Sequence, residues 1–567
     1  MVTAHTNETA FDVVILGSGA GGMAAALFCA LRGLRPVVVE KAAVVGGTTA
    51  LSAGTSWIPG TVHASEVGAE DSPDRVRTYL RAALGPLLDE AKLDAFLAHG
   101  PAAVAELAAR TEVKFRARPY HPDYMSELDG AVLKGRALEP LPLDGRRLGS
   151  DLALMRPPLP ELTLLGMMLG PDDLRHMLRA TSSPRSALHA LRLLARHAVD
   201  RARHPRGTGL LLGNALCGRL LLSLRLLGVP VWTQTRATGL LGDGERVEGV
   251  KMEREGRRIR VTAHRAVILA TGGFAHSPEL RPRLLPPPLP DHTAVPPEVS
   301  GDGMRMALDR GAALGASHGN GSFWAPVSVH PRRDGSTAVY PHFFLDRGKP
   351  GVIAVDGSGR RFVNEATSYN GFVRGMYEAN AVNAAIPCHL IADSRALRAY
   401  GLGMVLPGGW RLRRLLAEGY VRRAETLDDL ARQLAIDPAA LTETVVRFNG
   451  HARLGEDPDF ARGATASNHV LGDPAHRPNP CLGPMERAPF YALALHPGIN
   501  GTHAGLRTDI AGRVLRADGT AFANLYACGN DMSSLMADRY PGPGITIGPA
   551  IAFAHAIAEH LAANVSA

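Results

Sequence analysis

An α/β fold with a mostly parallel sheet, its main body assembled from two separated stretches of chain, is predicted by three observations. Three strand-like apolar runs, Val13-Val14-Ile15-Leu16, Val267-Ile268-Leu269-Ala270 and Leu525-Tyr526-Ala527-Cys528, each feed directly into a glycine-rich turn, as strands do where an open α/β sheet presents a ligand. Proline clusters at 284–297 and 474–484 fall between the second run and the third, and such clusters mark boundaries. The chain, at 567 residues with 46% hydrophobic and 20% charged, is long enough for several cores. The reading is a nucleotide-binding domain in two pieces, 1–290 and 478–567, with an α+β capping domain at 291–477 inserted between them.

Composition excludes several classes. There is no collagen-like repeat, and the apolar content rules out a disordered chain. Lys and Arg number 62 against 54 Asp and Glu, a formal charge of +8. Only six of the cations are Lys, and the arginines are scattered rather than gathered into a nucleic-acid-binding block. Cys29, Cys217, Cys388, Cys481 and Cys528 form no C-x-x-C pair, which argues against a disulfide framework, zinc or an iron–sulfur cluster. No signal-peptide pattern opens the chain, and no uncharged apolar run reaches the eighteen or so residues that span a bilayer. A soluble cytoplasmic protein is expected.

The first turn carries the clearest motif. Gly17-Ser18-Gly19-Ala20-Gly21-Gly22 follows a strand and opens an Ala-rich stretch. In such a turn Gly17 and Gly19 allow tight reversal and close approach of a pyrophosphate, Ala20 begins the helix whose positive end faces it, and Gly22 lets helix and strand pack. Eighteen residues later the strand Val37-Val38-Val39 ends in Glu40, where a carboxylate accepts hydrogen bonds from ribose hydroxyls. This is a Rossmann-like arrangement. A second small-residue loop follows, with Gly47, Thr48, Thr49, Ser52 and Gly54 as candidate contacts. A simple NAD domain needs no such loop, so FAD is favoured. The carboxy-terminal piece contributes Gly529 and Asn530 at a strand end, then Gly544-Ile545-Thr546-Ile547-Gly548-Pro549 leading into an apolar helix.

Together with Ala270-Thr271-Gly272-Gly273-Phe274, Gly301-Asp302-Gly303, the Trp57-Ile58-Pro59-Gly60 segment and Tyr540-Pro541-Gly542-Pro543-Gly544, these motifs resemble the fumarate reductase and 3-ketosteroid dehydrogenase flavoproteins over nearly the whole chain. The last two segments are similar to the 3-ketosteroid Δ1-dehydrogenases and cyclohexanone dehydrogenases. The resemblance implies FAD contacts at Ala270, Gly272, Ile545 and Ile547 and a desaturation next to a ring ketone, most simply of a 3-oxosteroid. It implies that Tyr540 and the Gly544 N–H bind the ketone oxygen and that Tyr369, five residues after Asn364, is the base. Fumarate reductases carry Arg at that position. A second tyrosine is implied in Tyr120-His121-Pro122-Asp123-Tyr124, with Tyr120 the better match and Tyr124 the reserve. A phenol near pKa 10 needs a neighbouring charge or hydrogen bond to act as a base.

The segment Gly213-Asn214-Ala215-Leu216 departs from the family pattern and leaves a smaller or acidic cyclic ketone open. Arg539 offers a contact for a substrate carboxylate, or an ion pair with Asp538. Asp509 is read either near the flavin or as a turn carboxylate. Electrons must leave to an external acceptor, since no C-x-x-C-H haem site is present. Finally, 184–204 reads as a helix with Ala187, Leu188, Leu191, Leu194, Ala195 and Ala198 on one stripe and Arg185, Arg192, Arg196 and Arg203 largely off it. Such a helix either packs its stripe on its own domain or lies on an anionic membrane.

Overall fold

The computed structural model describes residues 10–178, 180, 183–204, 206–317 and 319–563. Among these, eight strands form the larger sheet. Its main path runs Arg513–Leu515, Ala521–Ala527, Arg257–Leu269, Ala10–Leu16, Pro36–Val39, Val231–Trp232, and Val247–Arg254 and Thr235–Gly242 extend it from Arg257–Leu269. The centre is parallel. Leu16 lies opposite both Val39 and Leu269, and Leu269 lies opposite Ala527, so the three apolar runs end side by side at one edge. Gly17, Glu40, Ala270 and the turn before Gly529 follow at once.

Val13, Val14 and Ile15 are fully buried, as expected for strands covered on both faces. Helix Ala20–Leu31 packs against helix Ile547–Ala563, and small residues set their separation. A Cβ on Gly21 would stand 3.4 Å from the Ala550 Cβ and 3.3 Å from the Cys528 sulfur, so nothing larger than glycine fits without movement.

Seven strands form a second sheet with Phe490–Thr502 in the middle, antiparallel to Ser322–Pro331 and to Cys388–Asp393. This differs from the sequence reading, which starts the second nucleotide-binding piece at 478. The prolines at 474–484 do interrupt the chain, but an interruption does not say which sheet the next strand joins. Residues 490–502 close the second sheet, and the chain returns to the larger one with Arg513–Leu515. Within 120–148, Ala137–Pro140 pairs with Ser56–Trp57 and with Phe115–Ala117.

Helix Pro184–Arg203 forms as expected, capped by Ser183, whose hydroxyl accepts from the Ser186 N–H at 3.4 Å. Its apolar stripe is only partly covered. Ser186, Ala190, His197 and Asp200 face the protein, while Leu188 and Leu191 are 48% and 63% exposed. Hydrogen bonds decide the matter: Asp200 accepts from the Thr208 hydroxyl at 2.6 Å, and His197 Nε2 donates to the Leu165 carbonyl at 3.1 Å.

Candidate active site

At the edge where the strands end, the backbone is pressed to the limit. Gly17 has φ +108°, and a Cβ there would stand 2.1 Å from the Ala270 carbonyl oxygen; one on Gly22 would stand 2.0 Å from the Gly17 oxygen. Gly19, the N-cap of the first helix, has open space instead, with Thr49 Oγ1 the nearest atom at 3.7 Å from its Cβ direction. The Ala20 N–H donates to Thr49 Oγ1 at 3.1 Å, and the Cα of Gly19 lies 3.8 Å from the Cβ direction of Gly47. Glu40 accepts from Ser18 N–H and Oγ and from the Ala42 N–H. Ser52 Oγ donates to the Thr49 carbonyl and accepts from Gly54 N–H, while Asn214 donates to the Ala50 carbonyl at 2.7 Å. The departure at Asn214 thus ties down the second small-residue loop.

On the other side of this edge a solvent-open cleft is lined by Gly529, Asn530, Leu535, Ile545, Thr546 and Pro549, among others. Thr271 and Gly273 beside it are held by Asp531, which accepts from both of their N–H groups. A glycine turn at a helix N-terminus with open space at Gly19, a carboxylate at the end of the second strand and a cleft at the terminal helix suit a dinucleotide. These residues fit FAD.

Next to the cradle, three tyrosines from three distant segments meet. The Tyr369 ring centroid lies 5.0 Å from that of Tyr540 and 5.8 Å from that of Tyr124, and Tyr124 stacks on Tyr540 at 5.9 Å. Tyr369 opens helix Tyr369–Asn380, whose N-cap Ser368 accepts from the Gly371 N–H. Phe343 and Phe344 flank it. Tyr540 packs on Phe323 and precedes a tight turn in which Gly544, at φ +90°, accepts from Trp57 N–H; a Cβ there would lie 2.3 Å from the Thr55 oxygen.

Tyr124, not Tyr120, completes the cluster. Tyr120 is 52% exposed, while its neighbour Asp123 is buried and fixed by Trp57 Nε1 at 2.8 Å, Arg136 at 2.8 Å and the Val132 N–H at 3.1 Å. Arg136 is itself buried between Asp123 and Asp71. With Asp123 pinned inward, the next residue enters the site, and the Tyr124 N–H donates to the Pro541 carbonyl at 2.8 Å. Sequence reasoning missed this clamp because Asp71, Asp123 and Arg136 form no local pattern.

Electrostatics in the cluster are dominated by burial. It pushes the Tyr540 phenol up to about 12, and Tyr369 and Tyr124 higher; both neighbouring phenols add to the rise at Tyr369, whereas at Tyr124 the Tyr540 phenol adds to it and Tyr369, Arg118 and Arg347 oppose it. Burial pulls His121 down to about 3, with Arg118 adding to the effect, so His121 is neutral. Asp123 is pushed up to about 6 by burial, against the pull of Arg136. Arg347, missed from the sequence and fully buried, lines the same crevice as Tyr124 and Tyr369. Two other candidates lie elsewhere in role. Asp509 accepts from the Ala511 and Arg513 N–H groups as a turn carboxylate, and Arg539 Nε is 3.4 Å from Asp538.

The fold and the cradle define a dinucleotide-binding flavoprotein with a buried polar cluster beside its cofactor site. The chain belongs to the FAD binding domain family, which matches residues 12–547, and it is an FAD-dependent oxidoreductase. It is 36% identical to a 3-oxosteroid 1-dehydrogenase of Mycobacterium tuberculosis (97% of this chain, 98% of the relative). It is 37% identical to a 4-oxocyclohex-2-ene-1-carboxylate 5-dehydrogenase of Sinomonas cyclohexanicum (100% and 96%). The crystal structure of 3-ketosteroid delta1-dehydrogenase from Sterolibacterium denitrificans in complex with 1,4-androstadiene-3,17-dione superposes with a TM-score of 0.91 at 34% identity, covering 98% of this chain and all of that one.

Proposed function

We propose that the protein desaturates a cyclic ketone between the carbons α and β to the carbonyl, and that its substrate is a 3-oxosteroid, giving the Δ1 double bond. The observation that carries this reading is the convergence of Tyr369, Tyr124 and Tyr540, from three separate segments, in a buried cluster beside Gly544. The names of the relatives at 36% and 34% identity support the steroid.

In this reading the Tyr540 hydroxyl and the Gly544 N–H donate to the ketone oxygen and stabilise the enolate-like charge as the α proton leaves. Tyr369 takes that proton, and Tyr124, beside it, passes it on. Phe323, Phe343 and Phe344 keep water from the cluster. The residues assigned to FAD are Gly17, Gly19, Ala20, Gly22 and Glu40, then Gly47, Thr48, Thr49, Ser52 and Gly54, then Ala270, Gly272, Gly529, Asn530, Gly544, Ile545 and Ile547. When bound, FAD supplies a two-electron acceptor for the hydrogen lost from the β carbon.

The test is anaerobic bleaching of the flavin near about 450 nm with 4-androstene-3,17-dione, a 4-oxocyclohexanecarboxylate and succinate in parallel. Bleaching by the steroid is expected. Bleaching by the carboxylate alone supports the second reading, an acidic cyclohexanone, which the 37% relative favours. Bleaching by succinate alone overturns ring desaturation.

We further propose that helix Pro184–Arg203 rests on an anionic membrane and delivers the water-insoluble ketone. In support, no described helix is long and apolar enough to cross a membrane, yet this one turns Leu188, Leu191 and Val199 outward beside exposed Leu162, Leu165 and Leu174, with Arg185, Arg192 and Arg196 at hand. Each Arg near a charged surface contributes about 1 kcal/mol, so Arg192→Glu with Arg196→Glu should release the enzyme from phosphatidylglycerol vesicles at low salt. Unmodified protein left in the supernatant overturns the proposal.

A further inference from the structure

A phenol acting as base near neutral pH needs a positive charge at hand, and burial alone drives all three tyrosines the wrong way. Arg118 acts on Tyr124 from beyond His121, and the charge that lines the tyrosine crevice itself is Arg347, in the loop between Thr337–Pro341 and Val352–Val355. It is fully buried. Its Nε donates to the His342 carbonyl at 2.9 Å, its Nη1 to the carbonyls of Glu365 at 2.7 Å and Thr367 at 2.8 Å, and its Nη2 to that of Phe343 at 3.3 Å. Phe343 packs on Tyr369, and Thr367 precedes the cap of the helix that Tyr369 opens. The guanidinium therefore braces two sides of the tyrosine cluster.

Its neighbouring carboxylates are engaged elsewhere. Asp346 Oδ2 accepts from His342 Nδ1 at 2.7 Å and from the Gly403 N–H at 2.9 Å, and its Oδ1 takes the backbone N–H of Arg347, not the side chain. The Glu365 carboxylate is held by Arg361 and Arg462. A buried cation bonded to carbonyl dipoles rather than to an anion leaves positive potential for whatever faces it. What faces it is a narrow crevice that it lines together with Tyr124, Tyr369, His121, Ser368 and Ser467.

We propose that Arg347 is the positioning residue of the base: it supplies the positive charge against which the Tyr124–Tyr369 pair carries negative charge, and it fixes the start of the Tyr369 helix. This rests on Tyr369 being the base. The other groups facing the pair are Tyr540, neutral His121 and, beyond it, Arg118; Asp346 stands behind Arg347 and opposes it. None of them offers a positive charge within the lining of the crevice.

The experiment is the pH profile of anaerobic flavin reduction by 4-androstene-3,17-dione in FAD-loaded wild type, Arg347→Gln, Arg347→Lys, Asp346→Asn and Tyr369→Phe. Arg347→Gln should move the limb on which the rate rises with pH upward by about one unit or more, so the rate near pH 7 falls about tenfold and recovers at high pH. Arg347→Lys should keep the limb near that of wild type. Asp346→Asn, which removes the opposing charge, should move it downward, and this holds the proposal to account even where Arg347→Gln fails to fold. Slowing by the same factor at every pH in Arg347→Gln, or an unmoved limb in Asp346→Asn, overturns the electrostatic role. A normal rate in Tyr369→Phe would instead overturn the base on which the proposal rests.

Discussion

Replacing Tyr124 and Tyr120 separately by Phe gives a sharp contrast between two residues four apart. Tyr124 is enclosed by the rings of Tyr369 and Tyr540, and its backbone is tied to Pro541. Phe keeps the ring and those contacts, so stability should change by about 1 kcal/mol or less. The hydroxyl itself serves proton transfer in the proposed reaction, and its loss should slow flavin reduction by about 10²-fold, equivalent to about 2.7 kcal/mol in the barrier. Tyr120 is half exposed and touches none of these rings, so Phe there should change stability by less than about 0.5 kcal/mol and leave the rate within about a factor of two. Stopped-flow reduction and thermal melting on the same FAD-loaded samples read both quantities. A slow Tyr120 variant beside a normal Tyr124 variant would refute the assignment, since it would mean that the exposed residue enters the site in the working enzyme.

Tyr369→Phe should retain FAD and slow reduction by about 10²-fold or more, and reduction within about threefold of wild type removes Tyr369 as base. Tyr540→Phe should depress turnover by about 2.7–4 kcal/mol in the transition state with a small change in melting point; a lower melting point with normal kinetics would mark Tyr540 as structural. Gly544→Ala forces a Cβ to 2.3 Å from the Thr55 oxygen at φ +90°, so the turn must open, and FAD content and melting point should both fall. An Ala variant that melts normally with full FAD shows that the turn relaxes freely. On acidification, His555 matters: burial, helped by Arg32 and His99, pulls it down to about 4. Between about pH 6.5 and 4 the unfolded chain binds a proton that the folded one refuses, so stability should fall as pH drops through that window. His555→Gln should flatten the slope of melting temperature against pH, and an unchanged slope assigns it to other groups.

Much of the fold was legible because it is written locally. A strand, a glycine turn and a helix in succession need no partner to be recognised, and Leu16, Val39 and Leu269 end in register because each is followed by the residue types that cradle a phosphate or a ribose. What failed to show was decided at a distance. Phe490–Thr502 reads as a good strand, but its neighbours Ser322–Pro331 and Cys388–Asp393 lie far away in the chain, so its sheet could not be read from a proline cluster beside it. In the site the same holds on a finer scale. Both tyrosines of 120–124 look alike in sequence; the choice between them is made by Asp123, and Asp123 turns inward only because Trp57 and Arg136 offer it three hydrogen-bonded partners together with the Val132 N–H. For helix Pro184–Arg203 the sequence leaves two dispositions of the stripe open for a related reason. Its apolar stripe was visible, but Asp200 and His197 find hydrogen-bond partners inside, and satisfying buried polar groups outweighs burying two leucines at about 1.5–3 kcal/mol each only when the polar partners are already in place. Periodicity reports which face is apolar; the partners across space determine which face is covered. An apolar face left uncovered by that competition, with Leu188, Leu191 and Val199 on it, is the face that the proposed membrane contact would use.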